Sequence, residues 1–161
     1  MNRAAAAFLA ITVMTGLLAA LSFALELKGY PVGALGIARL DGIASAATFL
    51  PLSALYALSG VLMIVLPVRA AGIVYANAAT PTWHTGLVLL ATILGVQIAR
   101  FAFGNQAALN VLLDWRFIFA IGLFGIHFVV DRFRRNVLLR TLGFVLFTAI
   151  MLACLYWTFR L

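Results

Sequence analysis

Charge is what this 161-residue sequence has least of: only 9% of positions are Asp, Glu, Lys or Arg, against roughly a quarter in an average soluble domain. A water-soluble fold needs a charged shell, so this shortage excludes an ordinary globular protein. Cysteine occurs once, as Cys154, which rules out an internal disulfide and leaves a small apolar packing residue. The single lysine, Lys28, falls in a connection between apolar runs, so a Schiff base inside a helix has no candidate residue. Two histidines, His84 and His127, are too few for a two-haem cytochrome that depends on four. The chain contains no H-E-x-x-H, no G-x-S-x-G, no Walker loop and no aspartate pair arranged for intramembrane proteolysis; enzymatic activity is not expected.

What is present is apolar. Hydrophobic residues make up 66% of the chain, and the mean hydropathy is +1.17. Five runs, at about 4–25, 43–68, 83–103, 107–130 and 141–159, are each long enough to cross a hydrocarbon layer about 30 Å thick. Lipid offers no partner for backbone N–H and C=O groups, and the runs are too uniformly apolar for alternating barrel strands. The expected fold is all-α: a polytopic transmembrane helical bundle of five spans forming a single integral domain over 1–161. The connections at 28–42 and 69–82 carry the Gly, Pro, Asn and Thr of turns and are too short to fold alone. Ser22-Phe23-Ala24 offers a signal-peptidase site, and cleavage there would leave four spans. The first run exceeds the roughly 7 to 15 residues of a signal core, which favours an uncleaved helix.

Small residues spaced by four (Gly16 with Ala20, Ser53 with Ala57, Gly95 with Ala99, Ala149 with Ala153) are candidate positions for close helix approach. Pro51 interrupts the second run, frees the carbonyl of Ala47 and predicts a kink. Arginines set the orientation, because Lys and Arg flanking the spans are retained in the cytoplasm. Arg132, Arg134, Arg135 and Arg140 crowd the fourth connection and share a side with Arg3 and Arg69. The other side holds Lys28, Arg39, Arg100, Arg116 and Arg160. The dense cluster places the N-terminus in the cytoplasm and the C-terminus outside, in a membrane of the bacterial inner type. The net charge of +7 is dispersed without aromatic interleaving, so retention charges and lipid headgroups, rather than nucleic acid, account for it.

Function is sought among polar residues within or beside the spans, where a charge is costly unless paired. A tight hairpin at Gly104, Asn105 and Gln106 places residues equidistant from it at similar depth. At the turn end, Arg100 and Asp114 are expected to form a structural ion pair; Gln97, Arg100 and Arg116 are candidates for contact with an anion or lipid headgroup. At the other end, His84 and His127 average to position 105.5, the turn itself. Two facing imidazoles have the chemistry of axial ligands to a b-type haem, and with Asp131, four residues beyond His127, they have the donor set of a metal site. The bland alternative is that each His caps a helix end and Asp131 pairs with Arg134 or Arg135. The sequence therefore reads as a non-enzymatic subunit or accessory factor of a membrane complex, or a small oligomeric transport protein, with no cofactor. Its partners are the bilayer and other membrane subunits or copies of itself. The alternative is a single-haem electron-transfer subunit held through His84 and His127.

Overall fold

The computed structural model describes residues 3–43, 58, 65–114, 117–118, 121–122, 136–139, 141–142, 145 and 149. These are overwhelmingly helical, with no strand among them. The chain falls into two units, 1–49 with 86–117 and 50–85 with 118–161.

In the first unit, α1 (Arg3–Leu27) is an unbroken helix with no proline and many Ala and Leu residues, the composition helices favour. Its burial runs opposite to that of a soluble helix. Thr12, Thr15 and Ala19 form the buried face, while Leu9, Val13, Met14, Leu17, Leu18 and Leu21 are exposed, Leu17 at 67%. The two threonines avoid unmet polarity by donating back to the helix, Thr12 Oγ1 to the Phe8 carbonyl and Thr15 Oγ1 to that of Ile11, both at 2.8 Å.

Leu27 ends α1 in a Schellman turn. Tyr30 N–H donates to the Leu25 carbonyl at 3.0 Å and Gly29 N–H to that of Glu26 at 2.9 Å, with Gly29 at φ +80°. Pro31 then opens α2 (Pro31–Ile43) at its first position, where a missing N–H costs nothing. The second helix runs back along the first: a Cβ on Gly33 would lie 2.6 Å from the Ser22 carbonyl oxygen, and one on Gly36 2.7 Å from Ser22 Oγ. The connection expected at 28–42 is thus corrected to a three-residue turn followed by a helix. Its glycines signal turns in the sequence, but two of them serve close packing instead. Most of the run at 43–68 lies outside the described residues.

The next helix among the described residues, α3 (Val68–Ala102), starts well before the expected 83, contributing 68–85 to the second unit and 86–102 to the first. Pro81 sits inside it, unable to donate to the carbonyl of Asn77. Next to it, side chains donate to exposed carbonyls, Thr85 Oγ1 to Pro81 at 2.9 Å and His84 Nδ1 to Thr80 at 2.8 Å. Within the first unit, α3 is covered on most sides: Ala91, Ile93 and Val96 are at most 1% exposed.

A second Schellman turn ends α3, with Asn105 N–H on the Arg100 carbonyl and Gly104 N–H on that of Phe101, both at 3.0 Å, and Gly104 at φ +93°. The turn expected at 104–106 is therefore present. The segment after this turn departs from the expectation of a fourth α-helical span: Gln106–Leu113 is a 3₁₀-helix, and Asp114 is extended at ψ 134°, so no α-helix begins at 107. In the second unit, Asn136 Oδ1 accepts from the N–H groups of Leu138 and Leu139 at 3.2 and 3.4 Å, a side-chain cap that starts a helix at Val137 rather than 141.

Among the described residues, two helical stretches, Arg3–Leu27 and Thr80–Ala102, are long and apolar enough to cross a membrane.

Candidate functional site

Within the first unit, α1 and residues 86–102 of α3 lie side by side at Gly16 and Gly95. A Cβ on Gly16 would come 3.3 Å from the Gly95 carbonyl oxygen, and one on Gly95 would come 2.5 Å from the Thr12 carbonyl oxygen and collide with Thr15 Oγ1. Further along both helices, the rings of Phe23 and Phe103 stack with centroids 5.3 Å apart. Since both contacts advance together, the two helices are parallel. Their C-terminal ends consequently finish beside one another.

At those ends lies an open-mouthed cavity of about 610 Å³, lined by Phe23, Glu26, Leu27, Ile37, Arg100, Phe103 and Asn105. The Arg100 guanidinium forms an ion pair with Asp41 of α2. Asp41 Oδ1 accepts no conventional hydrogen bond but is the oxygen in that ion pair; its geometry makes it charge-paired rather than orphaned. At 26% and 37% exposure, the two groups are half-buried, a setting in which neither is comfortable without the other. Glu26, exposed in the last turn of α1, forms no ion pair among the described residues.

Arg100 is thus corrected in its partner. The sequence pairs it with Asp114 across the hairpin, whereas the structure pairs it with Asp41, which lies on α2 rather than in the expected connection. Asp114 is half-buried, ends the 3₁₀-helix and is not without interactions of its own. Gln97 is buried to 3% exposure, and its Oε1 has no hydrogen-bond partner among the described residues. Arg116 lies outside the described residues. Glu26, Asp41 and the phenylalanine pair are not among the candidates that the sequence points to. The available signal is the scarcity of acids: with four in the chain, each one beside an apolar run asks for a partner.

Of the proposed haem or metal ligands, His84 is described and His127 and Asp131 lie outside the described residues. His84 is exposed, its ring edge-on to that of Trp83 at 5.3 Å. The Nδ1 contact with the Thr80 carbonyl at 2.8 Å is a hydrogen bond that Nδ1–H donates, since a carbonyl oxygen only accepts. The described residues hold no group of three or more potential metal ligands. Equal residue counts from the turn no longer mean equal heights for His84 and His127, because eight 3₁₀ residues rise about 4 Å more than eight α-helical ones.

Comparison with protein-family models, with curated proteins and with solved structures finds no match. What the chain itself offers is a helix with its small residues inside and its large apolar ones outside, and a cleft lined by Glu26, which has no ion pair among the described residues, and by Arg100, which is paired with Asp41.

Proposed function

We propose that the chain is a five-span integral protein of a bacterial-type inner membrane, N-terminus cytoplasmic and C-terminus outside, with the second crossing beginning at Pro31. It acts without catalysis, as a subunit or accessory factor of a membrane assembly or as a small oligomeric transport protein. The observation that carries this reading is the reversed burial of α1. Thr12, Thr15 and Ala19 are inside while Leu9, Met14 and Leu17 are outside, an order that water penalises and that lipid or an apolar partner accommodates. The parallel course of α1 and α3 in the first unit also supports it, since first and third crossings of a zigzag run the same way. Phosphatase and fluorescent-protein fusions at the two termini, with light scattering in mild detergent, test the reading. Expected are termini in opposite compartments and a particle larger than one chain. A monodisperse protein in plain buffer, or both termini in one compartment, sinks the membrane topology; a stable monomer with no co-purifying partner sinks the assembly role.

The second reading is a single b-type haem held by His84 and His127. It is favoured by the bond from His84 Nδ1–H to the Thr80 carbonyl, since a ligating imidazole usually gives its other N–H to a carbonyl or carboxylate. Absorbance of the purified protein decides it: a Soret band lost on His84→Ala supports haem, and its absence from the native protein ends that reading.

A further inference from the structure

We propose that the cleft at the joined ends of α1 and α3 binds an organic cation with an apolar body, a ligand class that goes beyond the membrane reading above. The site is defined by described helices alone and does not depend on the number of spans.

Three features of the cleft favour positive charge. Glu26 lines it with no ion pair among the described residues, while the charge of the other lining ionic group, Arg100, is already met by Asp41. Glu26 is therefore the one lining charge without a counter-ion among the described residues. The C-terminal ends of α1 and α3 both border the cavity, through Glu26 and Leu27 on one side and Phe103 and Asn105 on the other. A helix C-terminus carries a partial negative charge. The stacked rings of Phe23 and Phe103 line the same space and supply apolar area and aromatic surface, to which a cation is attracted. Leu27 and Ile37 complete an apolar wall, and the Asn105 amide oxygen can accept from an ammonium hydrogen. An anion would find only a guanidinium that Asp41 already holds and a carboxylate that repels it. This favours a cation over the anion or headgroup contact that Arg100 suggests from the sequence. A volume of about 610 Å³ admits a body of several rings rather than an inorganic ion.

Two probes of nearly the same shape and opposite sign separate charge recognition from greasy partitioning. Tetraphenylphosphonium and tetraphenylborate are titrated by equilibrium dialysis against the purified full chain in mild detergent, with empty micelles subtracted. Saturable binding of the phosphonium, at least tenfold tighter than of the borate, is expected. Glu26→Gln should weaken the phosphonium about two- to fivefold, the scale of one charge pair at a solvent-exposed carboxylate. Phe103→Leu should weaken it about threefold through loss of the ring, and Glu26→Asp should restore part of the Glu26→Gln loss. Circular dichroism and a monodisperse elution profile confirm that each variant is folded; if Phe103→Leu fails to fold, the Glu26 pair of variants decides alone. The proposal is overturned if folded native protein shows no saturable phosphonium binding, if the borate binds as tightly, or if Glu26→Gln leaves the affinity unchanged. None of these outcomes bears on where the termini lie, so the membrane topology stands or falls separately.

Discussion

Gly16 and Gly95 meet backbone to backbone: a side-chain carbon on Gly16 would stand 3.3 Å from the Gly95 carbonyl oxygen, but one on Gly95 would collide with Thr15 Oγ1 and crowd the Thr12 carbonyl at 2.5 Å. The contact is therefore unequal. Gly95→Ala is expected to destabilise by about 1–3 kcal/mol, the cost of overpacking a close crossing, while Gly16→Ala costs clearly less. Thermal unfolding of both variants in one detergent checks this; equal midpoints would contradict the geometry.

Removing either half of the Arg100–Asp41 pair leaves a half-buried charge without its partner. Asp41→Asn and Arg100→Gln should each cost about 1 kcal/mol, discounted for the water that reaches them. A double-mutant cycle should give coupling between Arg100 and Asp41 and less between Arg100 and Asp114. The reverse ranking would restore the partner suggested by the sequence.

Gln97 presents the opposite case, a buried amide whose Oε1 meets no donor among the described residues. Replacing an unmet polar group with an apolar one of similar size relieves a desolvation cost. Gln97→Leu should therefore raise stability by about 1 kcal/mol in denaturant titration. A marked loss instead would reveal a donor seated at that oxygen.

Both Schellman turns need a left-handed residue, Gly29 at φ +80° and Gly104 at φ +93°. No atom crowds either position, so Gly29→Ala and Gly104→Ala should cost only the conformational term, about 1–2 kcal/mol each, and should add in the double variant. Chemical or thermal unfolding of the three proteins tests the sum.

The turn at Gly104, the apolar character of α1 and the close-approach positions Gly16 and Gly95 are legible in the sequence because each depends on local chemistry: backbone freedom, span length or the absence of a side chain. The helix at 31–43 is not, since Gly33, Gly36 and Pro31 are the residues that also make turns. Only their placement against Ser22 and Glu26 shows that here they start a helix and let it pack. The Arg100 partner is hidden for the same reason. With Asp41 assigned to a loop, Asp114 is the nearest carboxylate by residue count, and a count assumes α-helical rise on both sides of Gly104. The 3₁₀ segment breaks that assumption, so residue counts from the turn no longer give heights.

The crossing at Gly95 leaves so little room against Thr12 and Thr15 that the two helices cannot slide lengthwise past each other there. It is a fulcrum. Any change in the crossing angle about that point would alter the spacing of Phe23, Glu26 and Arg100 at the mouth while leaving the pivot itself in place.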